Sequence, residues 1–257
     1  MKFAIIIPAS MESERLPGKP LLPIGTFTML QKTIIAARYT EVEKIVVASS
    51  SMAVEDDCSG HTNHFFSKQS HLSGTSRCAE ALAGVDSSIE LVVNWQVDEP
   101  FLDPKHVDRL VEMVSSWTDE QRATTIGTIV APPGGDLCPH CSFGMKQRQN
   151  SISACPDCFG GHSKHIVKAA CSVGGKCRWF SRAPMLGAYN HVGVYCYHRS
   201  LLEKLPAYRG PVHAENLEQL DWLIAGYEIQ ALVIDKAPLS INTMWDYERA
   251  IREGQVL

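Results

Sequence analysis

Lys2-Phe3-Ala4-Ile5-Ile6-Ile7-Pro8-Ala9-Ser10-Met11-Glu12-Ser13-Glu14-Arg15-Leu16-Pro17-Gly18-Lys19-Pro20 is the stretch that decides the fold. Its first half, Lys2 to Pro8, is a short Ile-rich run, the pattern of a buried strand. The second half is a loop with one Gly, two Pro and the cations Arg15 and Lys19. A buried strand that ends so puts polar groups at the carboxyl edge of a sheet, where α/β proteins bind ligands. Backbone N–H groups, Arg15 and Lys19 suit a polyphosphate, which Arg can grip bidentately. Neither G-x-x-x-x-G-K-[ST] nor G-x-G-x-x-G occurs, so this is not a P-loop or a dinucleotide fingerprint. A basic surface turn is the other reading of the same residues.

Outward from there, strand and helix patterns alternate. Met29 to Tyr39 reads as a helix and Lys44 to Ser49 as a second buried strand. Ser51 to Asp57 starts a helix, Cys58 to Ser70 reads as polar and irregular, and Cys78 to Ala83 is helical. Glu90 to Trp95 is a strand, Pro104 to Ser115 an amphipathic helix, and Ala123 to Ala131 a β-branched strand. Further strands are expected at His165 to Ala170, Arg178 to Arg182, Asn190 to Tyr197 and Ile229 to Ile234. Helices are expected at Ser200 to Leu205, at Ala214 to Ala225 and after Asn242. The alternation predicts a mostly parallel, doubly wound α/β sheet in a single domain spanning 1–257.

At 257 residues and 45% hydrophobic content the chain can bury a sizeable core. A net charge of −4 argues against a field built for nucleic acid or an anionic membrane. The apolar runs are strand-sized, far short of a membrane span. The first strand starts at once, so no signal peptide is expected and the expected location is cytoplasmic.

Nine cysteines point to thiols and metal rather than a disulfide framework. After Pro132-Pro133-Gly134-Gly135, Cys138-Pro-His-Cys141 and Cys155-Pro-Asp-Cys158 make two C-x-x-C knuckles, thirteen residues apart. Each knuckle supplies two soft ligands on a tight turn, and four suit tetrahedral Zn²⁺. We expect a structural zinc on Cys138, Cys141, Cys155 and Cys158 in a ribbon-like insertion over 134–163. A redox C-x-x-C would need to open a helix after a strand. Cys171 and Cys177 flank the Gly174-Gly175 turn as hairpin thiols, with a second ligand pair as the alternative.

Several motifs follow in a specific order: Arg15-Leu-Pro-Gly-Lys19, His71-Leu-Ser-Gly-Thr-Ser-Arg77, Asn94-Trp-Gln-Val-Asp-Glu-Pro100, Phe180-Ser-Arg182, His191-Val-Gly-Val-Tyr195, Glu215-Asn-Leu-Glu-Gln-Leu220 and Asn242-Thr243. Together they resemble the sugar nucleotidyltransferases, and most closely the cytidylyltransferases that activate 3-deoxy-manno-octulosonate (Kdo) as CMP-Kdo. The likeness spans nearly the whole chain except the cysteine insertion. It implies a Rossmann-like nucleotidyltransferase fold, Mg²⁺-dependent transfer from CTP to an acidic 2-keto sugar, a role in lipopolysaccharide biosynthesis, and a homodimer.

The resemblance also assigns residues. Pro8, Ala9, Ser10, Arg15, Lys19, Ser73, Gly74, Thr75, Arg77 and Gln96 match nucleotide-binding positions, with Arg15, Lys19 and Asp98 catalytic. Gln96, Arg182, His191, Tyr195, Glu218 and Gln219 match the sugar side, where Arg182 and His191 would meet the sugar carboxylate. Asp98 and Asn242 match the magnesium ligands; a carboxylate at a strand end beside phosphates suits that hard ion. Departures from the family pattern are Ser10, Ser76 for an acid, Val97 for Gly, Asn190 for Arg and Asn242 for Asp. With them, two other readings stand: the same chemistry on a different acidic acceptor, and a weakened binding or scaffold homologue that uses the zinc module for a partner.

Overall fold

The computed structural model describes residues 1–13, 15–68, 71, 73–133, 158–159, 162–163, 165–183, 185–205 and 215–252, the backbone alone at 158–159 and 162–163. From β1 (Phe3–Pro8) the chain passes through a small hairpin, β2 (Pro23–Ile24) and β3 (Phe27–Thr28), into α1 (Met29–Ala37). There follow β4 (Lys44–Ser49), α2 (Met52–Cys58), β5 (Asn63–Phe66), α3 (Gly74–Ala81), β6 (Leu91–Trp95), α4 (Pro104–Ser115), α5 (Asp119–Thr124) and β7 (Thr125–Ala131). After the hairpin β8 (Cys158–Phe159) and β9 (His162–Ser163) come β10 (Lys168–Cys171), β11 (Lys176–Ser181) and β12 (Tyr189–His198). α6 (Arg199–Leu202), α7 (Glu218–Ile224), β13 (Glu228–Val233) and α8 (Met244–Arg252) complete the order.

Among the described residues, nine strands form one sheet in the order β10-β11-β13-β7-β12-β6-β1-β4-β5. Burial dictates the two faces. In β1, Phe3, Ile5 and Ile7 pack with Leu30, Ile34, Val54, Val107 and Leu110 from α1, α2 and α4. Ala4 and Ile6 face the other way, toward Cys78, Ala81, Leu201, Leu220 and Trp222 from α3, α6 and α7. A strand covered on both faces needs apolar residues at every position, which is why β1 reads as a continuous run. α4 starts where Asp103 accepts from the Lys105 N–H at 3.0 Å and Pro104 occupies the first helical position.

The sheet corrects the expectation of mostly parallel pairing. Seven strands run one way, but β11 and β12 are reversed. Because β12 sits between β6 and β7, parallel pairing survives at β1–β4, β1–β6, β4–β5 and β7–β13. Strand order is a long-range property that no local pattern carries. Three smaller corrections have local causes. The supposedly irregular 58–70 contains β5, a half-covered edge strand whose polar residues mask its alternation. Residues 123 and 124 finish α5 rather than open β7. The helix expected over 214–225 begins only at Glu218, because Asn216 has φ +45° and Leu217 is extended.

Candidate functional site

The loops after β1, β5 and β6 converge with the middle of β12 and the segment before α8 on one cavity of about 630 Å³. Arg15, Ser73, Gly74, Thr75 and Gln96 line it. Ser73 caps α3 by accepting from the Ser76 N–H at 3.2 Å. A Cβ on Gly74 would lie 2.8 Å from Gln96 Nε2 and 3.3 Å from Pro8 Cγ, so glycine lets this helix start against the Gln96 amide without displacing it. Gly18, at φ +68°, turns the chain so that Lys19 points back to the site.

Lys19 Nζ donates to Asp98 Oδ2 at 2.7 Å, an ion pair only partly open to solvent. Arg15 donates to Asn242 Oδ1 at 3.3 Å. The Ile241 N–H donates to the Asp98 carbonyl at 2.9 Å, tying the two chain segments together. Asp98 and Asn242 therefore bring two hard oxygen donors to the same cavity. They fit a magnesium ion that takes its remaining ligands from phosphates and water. Among the described residues no group of three or more His, Cys, Asp or Glu is placed to hold a metal. Asp246, which the sequence also offers as a water-mediated magnesium partner one turn on from Asn242, accepts from the Asn242 N–H (3.1 Å) and from the Thr243 N–H and hydroxyl (2.8 Å each) and braces the Asn242 loop. Val97 is buried and outside the left-handed region, so the loop before Asp98 needs no glycine.

Arg182, His191, Tyr195, Glu218 and Gln219 also line the cavity. The Glu215 carboxylate gathers the Ser181 hydroxyl and the Arg182 N–H (2.9 Å), and Arg182 Nη1 donates back to the Glu215 carbonyl. Burial alone would raise the Glu215 pKa, but these bonds and the Arg182 charge hold it below the ordinary value, as a carboxylate. Burial and then Arg15 lower the Arg182 pKa, so the two guanidiniums face a common space. Gln219 donates to the Tyr195 hydroxyl. Burial raises the Glu218 pKa, and the hydroxyls of Thr75 and Ser73 bond to its carboxyl.

His191 corrects one expectation. Thr128 gives its hydroxyl proton to the Val194 carbonyl at 2.8 Å, so it accepts from His191 Nε2–H at 2.9 Å. Burial pushes this imidazole down to about 3, leaving it neutral with Nδ1 an acceptor. A neutral ring offering an acceptor nitrogen suits a hydroxyl donor and gives a carboxylate nothing to bind.

Of the residues singled out from sequence, Pro8, Ala9, Ser10, Lys19 and Arg77 do not line the cavity. Pro8 and Ala9 are buried behind Gly74, Ser10 Oγ accepts from the Glu12 N–H at 3.2 Å, and Arg77 is buried on α3. The zinc set cannot be placed, since Cys138, Cys141 and Cys155 and the Cys158 side chain lie outside the described residues. Sequence reading missed Glu99 and Ser240. Glu99 is 3% exposed; Oε1 accepts from the Gly193 N–H at 3.1 Å and the Ser240 hydroxyl at 2.6 Å, while Oε2 has no partner among the described residues. Burial, then the Asp98 charge, push it up to about 8. Its neighbour Asp98 was the signal, but only the fold brings Ser240 and Gly193 to it. Ser76 also lines the cavity, backed by His71 Nδ1 at 3.2 Å, whose Nε2 meets Glu80 at 2.6 Å.

A family model described as cytidylyltransferase matches residues 4–132. The chain is 31% identical to a 3-deoxy-manno-octulosonate cytidylyltransferase of Rhizobium johnstonii, over 96% of this chain and 93% of that one. It is 30% identical to a protein of the same name from Acaryochloris marina, over 97% and 96%. Among solved structures it is similar to a CMP:2-keto-3-deoxy-manno-octonic acid synthetase complexed with CTP, at 25% identity and a TM-score of 0.79 over 100% of both chains.

Proposed function

Because the chain belongs to the 3-deoxy-manno-octulosonate cytidylyltransferase family, a family of nucleotidyltransferase enzymes, we propose that it transfers the cytidylyl group of CTP to Kdo. The anomeric hydroxyl oxygen of the sugar attacks the α-phosphorus. A new phosphorus–oxygen bond forms, the bond to pyrophosphate breaks, and the hydroxyl proton leaves to solvent. The observation that carries this reading is one cavity lined by residues for both halves of the reaction: Arg15, Gly74, Gln96 and Asp98 for the nucleotide, Arg182, Tyr195, Glu218 and Gln219 for the sugar.

Arg15 and Lys19 hold the triphosphate, with Gly74 and Gln96 against the nucleoside. Asp98 and Asn242 would hold Mg²⁺, which when bound neutralises phosphate charge and lowers the pKa of the attacking hydroxyl. Lys19, paired with Asp98 at 2.7 Å, would bring its ammonium to the phosphates beside that carboxylate. Arg182 takes the sugar carboxylate, and neutral His191 with Gln219 and Glu218 takes hydroxyls. Positioning and charge neutralisation supply most of the rate, so no dedicated protein base is required.

Pyrophosphate release from CTP, measured with a panel of 2-keto acid sugars, tests the reading. Turnover with Kdo supports it. Turnover only with another acidic sugar moves the acceptor, a second reading that Ser76, Val97 and Asn190 favour. No turnover with any sugar leaves a binding homologue. The insertion over 134–163 forms a small subdomain on a structural Zn²⁺ held by Cys138, Cys141, Cys155 and Cys158, a proposal that rests on their spacing. The homodimer rests on the family likeness, and the cytoplasmic location stays an expectation from the sequence; among the described residues no helix is long and apolar enough to cross a membrane.

A further inference from the structure

Lys168 is 3% exposed and lies where β10 pairs with both β11 and β12. Its Nζ donates to the carbonyls of Ile166 and Arg182, 2.8 Å to each. Ile166 and Arg182 both line the cavity, on the wall assigned above to the acceptor. The Arg182 peptide is thus gripped from two sides: its N–H by Glu215 and its carbonyl by Lys168. A neutral donor would brace two carbonyls without the cost of burying a charge beside a second cation. The adjacency of Lys168 and Arg182 is unfavourable by itself and becomes favourable when an anion occupies the wall.

We propose that Lys168 is a positioning residue for the acceptor carboxylate, fixing the Arg182 peptide and adding its charge to the field that the carboxylate meets. The inference rests on the reading of Arg182 as the carboxylate's partner. Lys168 does not line the cavity, so it acts through Arg182 and through space. Burial, opposed by Glu215 and reinforced by Arg182, brings its ammonium down to about 8. The ammonium is therefore charged below that pH and is lost above it, and affinity for a carboxylate falls as the pH rises. Among the described residues, charged groups that face it include Glu215 and Arg182; on β12 its register partner is the uncharged Asn190. His165, on the same wall, is a second titratable group.

The test measures KM for Kdo and for CTP separately, from pH 7 to 9.5, in the wild type, Lys168→Met, Lys168→Gln and His165→Asn. Lys168→Met is expected to raise KM for Kdo about tenfold while KM for CTP stays unchanged, the size expected for removing one nearby charge at a partly screened site. In the wild type and His165→Asn, KM for Kdo should climb above pH 8; in both Lys168 variants that climb should be absent. With the C1 amide of Kdo, which has no carboxylate, the variants should match the wild type. If Lys168→Met fails to fold, Lys168→Gln, which keeps a donor, and the wild-type pH profile still decide. Equal losses for Kdo, its amide and CTP, or a flat wild-type profile, overturn the inference and leave Lys168 a strut. A wild type that does not use Kdo overturns the functional reading and this inference together; an active wild type with unaltered variants overturns only the inference.

Discussion

Replacing Gly74 by alanine should separate folding from function. Gly74 is the first residue of α3 and its φ is not positive, so the backbone tolerates a side chain. Alanine is also the better helix former by roughly 1 kcal/mol at an interior site, and at a helix end the gain is a fraction of that. The obstacle is local: the new Cβ would lie 2.8 Å from Gln96 Nε2, 3.4 Å from Gln96 Oε1 and 3.3 Å from Pro8 Cγ. Ordinary contact begins near 3.5 Å, so the Gln96 amide must retreat by about 0.7 Å. That amide is the free end of a flexible side chain and can move, at the cost of its 3.3 Å bond to Asn94 Oδ1. A misplacement near 1 Å in a positioning group costs up to about 10²-fold in rate. Gly74→Ala should therefore melt within a few degrees of the wild type but lose about 10- to 100-fold in kcat/KM for CTP, measured by pyrophosphate release. A variant that melts normally and turns over normally would show that Gly74 and Gln96 do not meet the nucleotide. One that unfolds would show that the clash is not local.

Three further outcomes are expected. Asp98→Asn should lower turnover by at least ~10²-fold, the scale of losing a charge aimed at the transition state; near-normal turnover removes Asp98 as the magnesium ligand. His191 is protonated more easily in the unfolded chain, near 6.5, than in the fold, at about 3, so the unfolded state binds the extra proton and stability falls as pH drops from 6.5 toward 3. His191→Gln should flatten that part of the denaturation profile, and an unchanged profile would show that this group is not a source of the acid sensitivity. Elemental analysis of protein prepared without a metal-affinity tag should find one Zn²⁺ per chain; its absence, or a Cys138–Cys141 disulfide, overturns the zinc assignment.

What the chain determined by itself is local. The Ile-rich β1, β4 and the helix opened by Asp103-Pro104 are written in side-chain periodicity and capping, which act over a few residues and so survive reading in isolation. The family resemblance reached further, since RLPGKP, the Gln96-Val97-Asp98-Glu99-Pro100 run and Ser181-Arg182 each carry chemistry at a fixed spacing. Tertiary structure alone decided what meets what. It set β12 antiparallel between β6 and β7, aimed neutral His191 at Thr128, and brought Ser240 and Gly193 to the buried Glu99. It also paired Lys19 with Asp98 across 79 positions of sequence and put Lys168 beneath Arg182. The reason is physical: strand order, desolvation and the protonation states that follow from it belong to neighbours distant along the chain, and no local pattern encodes them.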